Sequence, residues 1–177
     1  GIVASPATIE IEAEYSSEDA FRELESFSHV WVVFVFHGIE NYNWKAMVRP
    51  PRLGGNQRVG VFASRSMFRP NPIGMSVVEL KNIERKGNKV ILNIVGGDFL
   101  DLTPVLDIKP YIPYSDSITT AKAGYAIEKP EEKLNVNFSE QALEEIHRVK
   151  DKIPRLETII VEILQLDPRP AYQENKK

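Results

Sequence analysis

Apolar and acidic side chains take turns along "TIEIEAE", residues 8–14, which is the period of a strand with one wet face. "SSEDAFRELESF" follows, and Ser16 or Ser17 is placed to cap a short helix whose apolar side is Ala20, Phe21, Leu24 and Phe27. The next segment, "HVWVVFVFH", has no polar interruption between its terminal histidines. A β-branched and aromatic run of that length predicts a strand buried on both faces, with His29 and His37 at its ends. A short strand is expected over residues 59–63. "GMSVVELKNIER" then leads through the turn "KGN" into "KVILNIV", the pattern of a hairpin. "GGDFLDLTPVLDIKPYIPY" predicts a glycine turn, a strand and a proline-punctuated exit.

The periodicity changes after residue 117. "SITTAKAGYAIEKPEEK" is polar and reads as a connection, after which Ser139 caps a helix carrying Leu143, Ile146, Val149 and Ile153 at helical spacing. A second helix begins after Pro154, with Leu156, Ile159, Ile160, Ile163 and Leu164 on one face, and Asp167-Pro168 is its predicted stop. The division is therefore a mainly β domain over 1–117, expected to close as a barrel because short strands alternate with turns, and a linker with a helical appendage over 118–177. No internal repeat is visible.

Size and composition narrow the function. At 177 residues the chain can bury one substantial core, and with no cysteine it has neither disulfides nor thiolate chemistry, which fits a cytoplasmic protein. The longest apolar run, residues 30–36, is too short to cross a bilayer, so no membrane partner is expected.

The net charge of −3 argues against general nucleic-acid binding, but the average hides a local field. Residues 41–78 contain no Asp or Glu, yet they hold Lys45, Arg49, Arg52, Arg58, Arg65 and Arg69. With 16 basic and 25 acidic residues left, the remainder carries −9. Prolines at 50, 51, 70 and 72 fix the backbone around three of these arginines, whose planar forks suit phosphate or carboxylate. Phe62, Phe68 and Trp44 offer base-stacking surfaces among the charges, although such residues more often belong to a core.

A second cluster lies in "GGDFLDLTPVLDIKP", where Asp98 and Asp101 are either ordinary turn acids or acceptors for a ribose diol or a cationic ligand. Asp107 and Lys109 are two apart on one strand and share a face, an arrangement that burial would make costly unless the face lines a site. His29 and His37 stand about 26 Å apart on an extended strand and cannot hold one metal together. With His147 the only other histidine, no metal is expected. No phosphate-binding glycine loop, dinucleotide fingerprint or nucleophile elbow occurs.

Five ordered segments, "FSHVWVVFVFH", "VRPPRLGG", "VGVFASRSMFRPNPIGMSVVEL", "DFLDLTPVLDIKPYIP" and "DPRPAY", together resemble the YaeB/TrmO (TsaA-like) family of tRNA methyltransferases across nearly the whole chain. The resemblance implies a β-barrel enzyme that uses S-adenosylmethionine to methylate N6 of threonylcarbamoyladenosine at tRNA position 37. It also implies a "PRQPG"-like segment ahead of Gly1, and a glycine where this chain has Leu102. Implied cofactor contacts are His37, Gly38, Arg65, Met75 and the loop Asp98, Phe99, Leu100, Asp101. On this reading Arg65 pairs with the methionyl carboxylate, and Arg49, Arg52, Arg69 and Lys109 hold phosphates of the anticodon stem-loop. Asp107 or Lys109 is the candidate for moving the N6 proton. The family resemblance further implies a homodimer. Rival readings are a non-catalytic RNA-binding module and a methyltransferase acting on a small molecule or protein.

Overall fold

Val30, Val32 and Phe34 are buried, whereas Trp31, Val33 and Val35 between them are only half-buried. The central strand therefore has one core face and one partly open face, where the sequence pattern predicted burial on both. The structure, a computed structural model, describes residues 5–39, 42–53, 55–127 and 134–166, with Arg52 described by its backbone alone.

Five strands make the main sheet: β1 (Pro6–Glu10), β2 (His29–Val35), β5 (Ile73–Lys86), β6 (Lys89–Val95) and β7 (Val105–Pro110), in the order β1-β6-β5-β2-β7. Every neighbouring pair is antiparallel. Two short strands, β3 (Met47–Val48) and β4 (Val59–Gly60), form a separate ribbon, and β4 passes at once into a 3-10 turn over Val61–Ala63. The expected barrel is not formed, because β1 and β7 end the sheet without meeting. Alternation specifies a buried face for each strand. Closure additionally requires the first and last strands to reach one another, which no local pattern encodes.

The β5–β6 hairpin forms as predicted, with Gly87 at φ +62° in the turn, a conformation that glycine adopts without strain. Val78, Leu80, Val90, Leu92 and Ile94 from this hairpin join Ile9 and the buried side of β2 in one core. Phe21 and Leu24 pack against it from the preceding segment. That segment is not the expected helix. It forms two 3-10 turns, Glu18–Phe21 and Leu24–Ser26, broken by Glu23 in the left-handed region at φ 67°. Nor do the serines cap it: Ser17 makes no capping bond, and Ser16 is buried with its hydroxyl accepting the Val90 N–H at 3.0 Å and facing the Glu12 carbonyl at 3.0 Å. Ser16 thereby ties this segment to β6.

Between β6 and β7 the chain crosses the core side of the sheet. Phe99 makes the crossing stable by packing edge-on to Phe34, ring centroids 4.9 Å apart. Beyond β7, α1 (Pro113–Asp116) is held by Asp116, which accepts from the Ile112 N–H at 2.8 Å and from the Trp31 indole at 3.0 Å. The two longer helices are α2 (Glu140–Val149), capped by Ser139 accepting from the Ala142 N–H at 3.2 Å, and α3 (Leu156–Leu164). Neither contains a buried residue, so their apolar faces stay partly open. The predicted stop at Asp167-Pro168 lies outside the described residues. No described helix is long and apolar enough to cross a membrane.

Candidate functional site

One end of the sheet gathers three loops. The Val35 N–H donates to Pro104 O at 3.0 Å and the Phe36 N–H to Pro72 O at 2.8 Å, which brings the exit of β2 beside the entries of β7 and β5. His37 and Gly38 follow directly and are exposed. Gly38 lies against the β6–β7 loop, and a Cβ built there would come within 2.8 Å of Leu100 Cδ1. Within that loop Phe99 faces the core, while Asp98, Leu100 and Asp101 face solvent around it. The Thr103 hydroxyl donates to Leu100 O at 2.8 Å, and Leu102, 85% exposed, takes a left-handed φ of 59°, a conformation that glycine adopts freely.

A row crosses the open face of the sheet. Val33 is the register partner of both Met75 on β5 and Asp107 on β7, and Trp31 is that of Lys109. Met75 is 50% exposed. Asp107 and Lys109 share this face and form an ion pair at 2.8 Å, both substantially exposed, so burial imposes no large desolvation penalty on them. The hydrogen bond from Lys109 holds the Asp107 carboxyl below its ordinary value, helped by the Ile108 N–H at 2.9 Å and opposed by slight desolvation.

The basic window is organised around Val61, which is buried and anchors its turn. The Ser64 hydroxyl donates to Val61 O at 2.8 Å, and Arg69 Nη1 donates to Val61 O at 3.1 Å and Ser64 O at 2.7 Å. Arg69 is thus partly committed to the loop it was expected to project from. Lys45 lies over Phe68, 4.0 Å from the ring centre, and the Arg69 guanidinium lies 5.4 Å from that of Phe62. Arg65 and Arg49 are exposed, and neither has an ion pair among the described residues. Arg52 falls in the 3-10 turn Pro51–Leu53, and its side chain is outside the described residues. No hydrogen bond or ion pair joins Arg65 to Asp98 or Asp101 among the described residues.

Sequence reasoning missed Tyr125, whose hydroxyl donates to Ala63 O at 3.1 Å across 62 positions of chain. A contact of that range leaves no periodic signal. Two shallow concavities among the described residues lie elsewhere, one along α2 beside His147 and one between Phe21 and Ile83, and no candidate residue lines either. His29 touches Tyr111 edge-on, and no group of three or more metal-ligating side chains forms among the described residues.

Comparison with known proteins assigns the chain. A family model described as tRNA-methyltransferase O N-terminal domain matches residues 2–117, and one described as TrmO C-terminal domain matches residues 131–177. A tRNA (adenine(37)-N6)-methyltransferase of Escherichia coli K12 is 47% identical over 165 residues, covering 93% of this chain and 70% of that protein. One of the same name from Eikenella corrodens is 47% identical over 149 residues, covering 84% and 81%. A crystal structure of TrmO from Pseudomonas aeruginosa superposes with a TM-score of 0.72 at 35% identity, over 95% of this chain and 70% of that one.

Proposed function

Because the chain belongs to the tRNA-methyltransferase O family, we propose that it methylates N6 of the adenine at tRNA position 37, with S-adenosylmethionine as methyl donor and threonylcarbamoyladenosine as the acceptor base. The observation that carries this reading is the likeness to a tRNA (adenine(37)-N6)-methyltransferase across 93% of the chain. The cytoplasm, where tRNA is modified, is the compartment this reading implies.

The donor set fits such a cofactor. Arg65 is an exposed cation without an ion pair among the described residues, suited to a carboxylate, and Asp98 and Asp101 are exposed acids suited to a ribose diol. Gly38 meets Leu100 on the loop that carries the two acids, and His37, Phe99 and Met75 complete the set assigned to cofactor binding. When bound, S-adenosylmethionine supplies an electrophilic methyl on a sulfonium. The chain's own part is to hold the acceptor nitrogen in line and exclude water. The N6 proton must leave as the N–C bond forms. Asp107, ionised and paired with Lys109, is the carboxylate in the row that Met75 shares, and it becomes the stronger base once Lys109 turns towards a phosphate. Arg49, Arg52, Arg69 and Lys109 are assigned to anticodon-loop phosphates.

A homodimer is part of the proposal, supported by the partly open apolar faces of α2 and α3. Sedimentation at working concentration is expected to give twice the chain mass; a single-chain mass would remove this part alone.

The reading is tested by titration calorimetry with S-adenosylmethionine, followed by transfer of labelled methyl to tRNA carrying threonylcarbamoyladenosine. Binding and transfer are expected, with both weakened in Arg65→Ala. Absence of transfer to that tRNA would overturn the assignment.

A further inference from the structure

A large aromatic ring is held out in solvent by a turn that cannot fold it away. Val61 is 1% exposed and Phe62, its neighbour, 73% exposed. The contrast is built, because the carbonyl of Val61 accepts from both Ser64 and Arg69, and that of Ala63 from Tyr125. These bonds lock the backbone on both sides of Phe62, so the ring is presented with little conformational freedom left to lose on binding. The Arg69 guanidinium sits over the ring at 5.4 Å.

The surroundings select the partner. Phe62 lies within residues 41–78, which carry six cationic and no acidic side chains. An apolar protein surface is a poor match for that field. A polyanion that also offers flat apolar faces matches both properties, and RNA with unstacked bases is such a polymer. Duplex RNA is not, since its bases are stacked on one another.

We propose that Phe62 is the stacking platform for one unpaired nucleobase of the RNA substrate, with Arg69 backing the ring and fixing its orientation. This rests on the tRNA reading above and adds which side chain receives a loop base. Phe68 is less suited, being half-buried beneath Lys45.

The test uses the full chain with an anticodon stem-loop RNA and, as control, a duplex of equal length, each titrated across a salt series. Phe62→Ala is expected to bind the stem-loop about five- to a hundredfold more weakly, the loss typical of one base–aromatic stack. Its salt slope should be unchanged, because no phosphate contact is removed. Phe62→Tyr should bind as the parent does, and duplex affinity should be the same for all three. Stem-loop affinity unaltered in Phe62→Ala, equal losses on stem-loop and duplex, or a loss shared by Phe62→Tyr would each overturn the proposal. A parent that methylates tRNA while Phe62→Ala binds normally removes the platform and keeps the enzyme reading; a parent that neither binds nor methylates removes both.

Discussion

Gly38 and Leu100 approach so closely that position 38 has no room for a methyl group unless Leu100 turns aside. Leu100 is exposed and its far end is free to rotate, so Gly38→Ala should change stability by less than about 0.5 kcal/mol. If the two residues shape the cofactor site, displacement on the ångström scale is enough to lower the methyl-transfer rate by up to about a hundredfold. Adding Leu100→Ala should restore much of it. Kinetics alongside thermal melting check both statements, and parental kinetics in the single variant would take position 38 out of the site.

Gly74 answers to the core. A Cβ there would overlap the rings of Phe34 and Phe36, neither of which can move far. Gly74→Ala should therefore destabilise the protein by about 1–3 kcal/mol, the usual range for overpacking, read as a lower urea midpoint. An unchanged midpoint would mean that the strand shifts to make room.

Ser16→Ala removes the acceptor of the Val90 N–H in a buried place. An unsatisfied buried donor costs about 1–3 kcal/mol. The amide of Val90 should also lose protection in hydrogen exchange before its neighbours on β6 do. Equal protection in both proteins would show that water replaces the hydroxyl.

Asp107 titrates below its ordinary value of 3.8 because Lys109 donates to it. A carboxyl depressed in the folded state contributes stability above its unfolded pKa and loses it as pH falls through the folded one, so this contribution fades only in acid below about pH 4. It is small, since both partners are exposed. Lys109→Met should move the Asp107 midpoint up towards 3.8 in a carbon-detected NMR titration. A midpoint that stays put would assign the depression to the Ile108 N–H instead.

Local chemistry made much of this fold readable. The Lys86-Gly87-Asn88 turn announced the hairpin, and Ser139 with its trailing apolar spacing announced α2, because each depends on residues within a few positions. The helix expected over residues 16–27 failed for a reason outside that window. Ser16 is claimed by Val90, 74 positions away, so no serine caps a helix there, and the left-handed Glu23 breaks the segment into two turns that still bring Phe21 and Leu24 to the core. The barrel failed likewise, since the strands were visible but the pairing of their ends was not. Of the candidate site, the acid-free window and the exposed acids of the β6–β7 loop stood out as composition. Their meeting points did not: Gly38 touches Leu100, and Tyr125 ties the late linker to Ala63, through contacts that only the folded chain brings about.

Among the described residues β7 pairs on one side only, and a strand edge of that kind invites pairing with an extended chain nearby. The Tyr111 N–H points inward to His29 O, so by the period of two the amides of Asp107 and Lys109 also face β2, and position 108 faces outward with position 110. Position 110 is proline and has no amide to give. At position 108 the N–H is already taken by the carboxylate of Asp107. A strand arriving from another molecule therefore finds carbonyls but neither of these donors, and the Asp107 carboxylate, besides pairing with Lys109, withholds one of them from the edge.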